Sequence, residues 1–243
     1  LLFAGWIVNG GKCMKVLVLS SGGIDSTVCL ALAVKKYGYE NVLSLSVSYG
    51  QKHSNELRAA RRIAQHYHVR HKELDMSMIF AGSDCTLLEG RGEIPQGTYA
   101  SQLETCAGEP VSTYVPFRNG LFLAAAASVA LADGCGKIYY GAHADDSAGN
   151  AYPDTSEAFH EAISRAVYEG SGKQLEIEAP FLCSHKADVV RAGMELQVPF
   201  SSTWSCYERR EKACGTCATC IDRRKAFALN GIQDPAEYEE EKK

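Results

Sequence analysis

Short apolar runs alternate with longer amphipathic stretches along most of this chain. Residues 16–19, Val-Leu-Val-Leu, form the first run, and 24–36 follows as a predicted helix. A second run at 42–47 predicts another strand. Across 55–68, Leu57, Ala60, Ile63, Ala64 and Tyr67 fall on one stripe at helical spacing. Residues 69–74 read as a weaker third strand. Further on, 120–131 is an alanine-rich buried helix, 137–140 a strand and 155–167 a helix. Then come a strand at 176–179 stopped by Pro180, a helix at 184–194 and a short helix at 220–229. Repeated strand–helix units imply a parallel sheet with helices on both faces. Ligands of such sheets lie beyond the carboxyl ends of the strands. Residues 82–113 break the pattern, being rich in Gly, Ser, Thr and Glu with little periodicity. They read as an inserted flexible segment that covers the ligand edge and is partly disordered without substrate. The expected organisation is an α/β domain at 14–199, a small C-terminal lobe at 200–233 and a charged, fraying tail at 234–243.

Two clusters carry the chemistry. Ser20-Ser21-Gly22-Gly23-Ile24-Asp25-Ser26-Thr27 joins the first strand to the first helix. A strand, a glycine turn and a helix N-terminus point backbone N–H groups at an anion. Ser21, Ser26 and Thr27 add hydroxyl donors. The loop has adjacent glycines and no lysine, so it fits neither G-x-x-x-x-G-K-[ST] nor G-x-G-x-x-G. It points to phosphate binding by another class of nucleotide enzyme. The second cluster is Cys206, Cys214, Cys217 and Cys220, spaced C-x7-C-x2-C-x2-C. Four thiolates at this spacing suit a tetrahedral zinc ion, better than an iron–sulfur cluster in so short a segment. Four protein ligands leave no open position, so the zinc would be structural, one per chain.

Composition narrows the class. The 243 residues are 46% hydrophobic and 22% charged, with a net charge of -4, ordinary for a soluble enzyme and without the signature of a nucleic-acid surface. Of ten cysteines, the six outside the cluster (Cys13, Cys29, Cys85, Cys106, Cys135, Cys183) are scattered, as expected for a reducing, cytoplasmic setting. No run approaches the roughly 18 apolar residues of a membrane span. Residues 1–13 make a poor signal peptide, and Met14-Lys15 reads as a natural start behind an N-terminal extension.

The Ser21-Gly-Gly-Ile-Asp25-Ser26 segment resembles the pyrophosphatase loop of the adenine nucleotide α-hydrolase-like (PP-loop) enzymes, which have a Rossmann-like sheet and cleave ATP between the α and β phosphates. A narrower resemblance, from about Met14 to Gly231, is to the 7-cyano-7-deazaguanine synthase (QueC) family. It rests on Tyr49-Gly-Gln-Lys-His53, Val115-Pro-Phe-Arg118-Asn119, 141–146, Tyr152-Pro-Asp154, His185-Lys186-Ala187 and the four cysteines. The resemblance implies a ligase of queuosine biosynthesis. ATP activates 7-carboxy-7-deazaguanine as an acyl adenylate, ammonia gives the amide, and a second activation gives the nitrile preQ0. Expected by-products are AMP and pyrophosphate. It also implies Mg²⁺ with ATP, a homodimer, and no directly bound nucleic acid. Within the superfamily, a tRNA-modifying enzyme would need a basic added domain or a further cysteine pair. A relative joining the deazaguanine acid to a protein or another amine is a second reading compatible with the residues.

The resemblance also assigns roles. Ser20, Ser21, Gly22, Gly23, Ile24, Asp25, Ser26 and Thr27 would bind ATP, with Asp25 capping the loop or helping to position Mg²⁺. Gln51 and His53 would contact the nucleotide, and Lys186 its phosphates. Arg118, with a rigid fork suited to carboxylate or phosphate, and Asn119 would hold the acceptor; the alternative for Arg118 is a structural ion pair. Of Asp145 and Asp146, one would bind Mg²⁺ and the other accept from ring N–H groups; the alternative is a pair of solvated turn acids. His143, Tyr152 and Asp154 would complete the substrate pocket. Phe117 stands where the family often has Gly or Ala, and its ring would reshape that pocket slightly. Adenylation demands no residue nucleophile, so none is assigned.

Overall fold

Val16, Leu17 and Val18 are fully buried in β1 (Lys15–Leu19), which forces this strand into the middle of the sheet. The computed structural model describes residues 14–52, 54–106, 109–208 and 211–239. The extension read at 1–13, with Cys13, and His53 lie outside them. Around β1 run β2 (Val42–Ser48), β3 (Arg70–Asp75), β4 (Cys135–Tyr139) and β5 (Glu176–Glu178), all parallel in the order β3-β2-β1-β4-β5. The order reverses direction at β1, between β2 and β4. A ligand crevice opens at such a switch point. The weak pattern of β3 has a physical cause: it is the edge strand, with no fully buried residue. Its charges pair outward, Arg70 with Asp133 at 2.7 Å and Glu73 with Arg61 at 2.5 Å.

The helices are α1 (Ile24–Tyr37), α2 (Asn55–His66), α3 (Tyr99–Thr105), α4 (Arg118–Ala132), α5 (Ala144–Ser147), α6 (Glu157–Gly170), α7 (Lys186–Glu195) and α8 (Ala218–Leu229). One sheet face buries Leu17, Leu43, Leu45 and Ile138 under Leu123 and Ala126 of α4 and Val167 of α6. The other buries Val16, Val18 and Val42 under Cys29 and Leu30 of α1 and Ile63 of α2. Beyond α1, Val28 packs on Val189 of α7 and Phe227 of α8. The expected α/β sheet with helices on both faces is therefore present, together with a C-terminal four-cysteine cluster. Helix ends shift for local reasons. α2 stops at His66 because His68 turns into the left-handed region at φ +55°. α6 begins at Glu157 because the Ser156 hydroxyl accepts from the Phe159 N–H at 3.1 Å.

Two segments read as irregular are built into the molecule. Within 82–113 lies α3, and Cys85, Leu87, Leu88 and Ile94 pack with Tyr49, Val115, Cys206, Cys217 and Cys220. Their irregular spacing hides this burial from a periodicity reading. The described part of the tail, 234–239, is also held. Asp234 receives two bonds from buried Arg223, at 2.8 and 3.0 Å, and Glu237 accepts the Ala213 N–H at 2.9 Å. A buried guanidinium needs that counter-ion. No helix among the described residues is long and apolar enough to cross a membrane.

Leu123 is completely buried where α4 meets the sheet. Leu123→Ala is expected to cost about 2–5 kcal/mol in urea unfolding, through lost burial and a cavity.

Candidate active site

The turn between β1 and α1 is set by two close approaches. Gly22 has φ +84°, and a Cβ there would fall 2.4 Å from the Glu56 carbonyl and 2.6 Å from the Ala60 nitrogen. Only glycine allows α2 to dock directly on the turn. From the other side, a Cβ on Gly141 would fall 2.8 Å from the Ser26 nitrogen. The Ser20 N–H donates to Leu45 O at 2.8 Å, and the Trp204 N–H to Gly22 O at 2.9 Å. Gly23 caps α1 without a side-chain acceptor, so the first-turn amides keep their anion-binding character. Ser20, Ser21, Gly23, Asp25 and Ser26 line a cavity at this helix end. Gly22, Ile24 and Thr27 shape the turn from behind: Ile24 is core, and the Thr27 hydroxyl donates to Gly23 O at 2.6 Å.

Charged groups gather on the wall beside the turn. Lys186, the first residue of α7, extends its ammonium to the Asp25 carboxylate and lies 3.4 Å from His143 Nε2. That nitrogen is 3.6 Å from Asp25 and 3.4 Å from Asp146. Burial alone would raise the Asp25 carboxyl, but Lys186 and then His143 outweigh it and hold it below the usual range. Asp146 is raised instead, because burial exceeds the opposing effect of His143 and Lys186. Asp25 Oδ1 is buried without a hydrogen-bond partner. That open oxygen, with Asp146 nearby, fits a hard cation such as Mg²⁺ whose remaining ligands are phosphate oxygens and water. Asp145 takes another place. One oxygen accepts the Lys186 N–H at 2.8 Å and the other meets His185 Nδ1 at 2.8 Å, so it sits at the α7 N-terminus and outside the cavity lining.

The opposite wall is aromatic. Arg118, in the first turn of α4, lies over the Tyr49 ring at 5.2 Å and donates to its hydroxyl at 3.4 Å. Asn119, Gln51 and Tyr152 line the cavity with it. Asp154 does not: it is buried and accepts the Asn119 N–H at 2.7 Å, fixing the start of α4. Tyr99, Tyr152 and Tyr207 bring their hydroxyls together at 2.8–3.3 Å, and the Thr113 hydroxyl joins Tyr152 at 2.7 Å. Phe117 is absent from this lining. Its backbone has φ +53° and its exposed ring packs on Phe159 at 6.0 Å. A left-handed position of this kind favours glycine for its backbone rather than for pocket space.

The sulfurs of Cys206, Cys214, Cys217 and Cys220 all lie within 4.8 Å of one another, with Cys214 and Cys220 at 3.9 Å. A tetrahedral ion with bonds of about 2.3 Å sets its sulfurs roughly 3.8 Å apart, so the set fits zinc. Backbone N–H groups of Cys214 and Cys217 donate to Cys206 and Cys214 sulfurs, each at 3.3 Å, which suits thiolates.

A family model described as "Queuosine biosynthesis protein QueC" matches residues 15–231. The chain belongs to the QueC family. A 7-cyano-7-deazaguanine synthase of Caldicellulosiruptor bescii is 40% identical over 226 residues, covering 93% of this chain and 98% of the relative. One of Archaeoglobus fulgidus is 39% identical over 229 residues, 94% of this chain and 92% of the relative. One of Pseudoalteromonas atlantica is 40% identical over 225 residues, 93% and 99% of the two chains.

This QueC-family cavity also includes residues that motif reading passed over: Glu56, Tyr99, Trp204, Tyr207, Thr219 and Asp222. Tyr99 is hidden in the aperiodic segment, and Glu56 reads as a first-turn acid on a surface helix. Tyr207, Thr219 and Asp222 lie among or beside the cysteines, a signal available in the sequence.

Two outcomes follow from this geometry. The depressed Asp25 contributes stability above its ordinary value of 3.8, lost as pH falls through its lower folded value. Lys186→Met removes the main counter-charge, so the melting temperature should drop at neutral pH, with the deficit shrinking as pH falls below 3.8. Separately, Cys217→Ser or metal chelation should abolish bound zinc and lower the melting temperature. ATP binding, read by calorimetry, should be lost in parallel because Trp204 holds the Gly22 carbonyl.

Proposed function

We propose that this chain is an ATP-dependent ligase that converts 7-carboxy-7-deazaguanine and ammonia to 7-cyano-7-deazaguanine through an adenylated acid and an adenylated amide. One observation carries the reading: an open helix N-terminus suited to phosphates and a half-buried guanidinium suited to an acid face one cavity. The relatives, 7-cyano-7-deazaguanine synthases, agree with it.

The α1 amides, Ser21 and Ser26 bind the β,γ-phosphates, and Lys186 neutralises charge on the leaving pyrophosphate. Asp25 and Asp146 would hold Mg²⁺, which when bound supplies electrostatic stabilisation of the phosphates. Arg118 and Asn119 orient the acceptor carboxylate toward the α-phosphorus. Tyr152, with Tyr99 and Tyr207, forms the wall against its ring. The acceptor oxygen is already an anion, so the first step depends on positioning and electrostatics rather than a residue nucleophile. The four cysteines hold a structural zinc that fixes the C-terminal lobe on this cavity.

The test is mass spectrometry of purified, zinc-loaded protein with the acid, ammonium, ATP and magnesium. The amide followed by the nitrile, with AMP and pyrophosphate, is expected. Adenylate or AMP without nitrile points to a different amine acceptor. No nucleotide turnover overturns the substrate assignment.

A further inference from the structure

The reaction proposed above takes protons from nitrogen at two stages, and nothing in the phosphate-binding machinery receives them. Four carboxyls line the cavity among the described residues: Asp25, Glu56, Asp146 and Asp222. Asp25 is ion-paired with Lys186, and Asp146 faces His143 and Lys186. Asp222, on α8, feels Lys186 and Lys225. Those three belong to the phosphate end. Of the four, Glu56 is the one whose carboxyl feels Arg118, the guanidinium that lines the same cavity and would receive the acceptor acid. Its position is fixed by the Gly22 approach, which seats the Glu56 carbonyl against the turn and leaves its side chain on the cavity wall. It therefore stands between the turn and the acceptor end.

We infer that Glu56 is the general base for the nitrogen steps, an assignment that rests on the ligase reading. In amide formation, the ammonia lone pair forms the C–N bond. The C–O bond to AMP breaks with its electron pair on the phosphate, and one N–H proton passes to the Glu56 carboxylate. Glu56 then returns that proton to water. In nitrile formation, the amide oxygen bonds to the α-phosphorus of a second ATP and pyrophosphate leaves. The adenylated amide carries two N–H protons. The first passes to Glu56, giving a neutral imidate, and from there to water. The second passes to the Glu56 carboxylate, again deprotonated, as the C–O bond to AMP breaks with its electron pair on the phosphate and the C≡N bond completes.

The surroundings suit this task. Burial pushes the Glu56 carboxyl up to about 7, with Arg118 opposing the rise. A group near neutrality combines a populated basic form with useful proton affinity. Among the described residues, the charged and titratable groups that act on it are Arg118 from α4 and Tyr49 after β2. Tyr49 is pushed up, mainly by burial, and Arg118 is raised because Tyr49, Tyr207, Glu56 and Asp154 outweigh its burial, so neither changes charge near neutrality.

The test compares wild type, Glu56→Gln and Glu56→Asp in two assays. Acid-dependent exchange of pyrophosphate into ATP reports adenylation. Amide and nitrile formation are followed by mass spectrometry across pH at constant free ammonia, starting from the acid and, separately, from the amide. Wild-type product formation should rise with pH through an inflection near 7. Glu56→Gln should lower it by at least about 100-fold and erase the inflection, while exchange stays close to wild type. Glu56→Asp should recover part of the rate and keep an inflection. Product formation and inflection that survive in Glu56→Gln would overturn the assignment. So would an equal loss of exchange and product, which indicates a structural role. Wild type without acid-dependent exchange would overturn the ligase reading and this assignment together.

Discussion

Gly22 sits at φ +84° with no room for a single methyl group between the turn and the backbone of α2. Much of the site depends on that contact. Its carbonyl takes the Trp204 N–H, so the C-terminal lobe is registered on the same residue that seats α2. Gly141 applies the same constraint from β4 against Ser26. The turn is thus gripped by three separate parts of the chain, and its amides are pre-organised before a phosphate arrives. A site that stabilises developing charge by fixed dipoles requires such rigidity, because dipoles that must reorient lose their advantage.

The charges in the cavity follow from its burial. An anion-binding pocket lined by carboxyls is unfavourable unless each acid is compensated or protonated. Asp25 takes the first course through Lys186, and Asp146 and Glu56 move toward the second. The environments diverge although the residue types are alike. On the roles proposed for them, that separation would let similar acids serve as a cation ligand at one end and a proton acceptor at the other.

The sheet, its flanking helices, the turn and the cysteine cluster were legible because each has a local signature: apolar runs, glycine pairs, fixed spacing. Other features were not, for identifiable reasons. Asp145 and Asp146 are adjacent and equivalent in sequence, yet backbone direction sends one to the α7 N-terminus and the other to the cavity. Asp154 belongs with the pocket motif but spends its carboxylate on the Asn119 N–H. Glu56 looks like an exposed first-turn acid until Gly22 brings α2 onto the turn. Residues 82–113 bury side chains at irregular intervals, which no periodicity detects. His53 lies outside the described residues.

On the proposed reading, the same packing accounts for a four-cysteine lobe beside an adenylating turn. Acyl adenylates are destroyed by water, so the cavity has to be walled on every side that the sheet leaves open. The sheet supplies β1 and its turn, but the acceptor end needs another wall. Tyr207 follows the ligand Cys206 directly, and its hydroxyl meets Tyr99 from the inserted segment and Tyr152 from the loop after α5. Buried hydroxyls that satisfy one another at 2.8–3.3 Å specify one arrangement of three otherwise unconnected segments. Without an ion, four uncoordinated thiols, three of them buried, give the lobe no comparable reason to hold Tyr207 there. On the proposed ligase reading, a bound metal would act on the chemistry from outside it, by fixing the wall that keeps water from the activated acid.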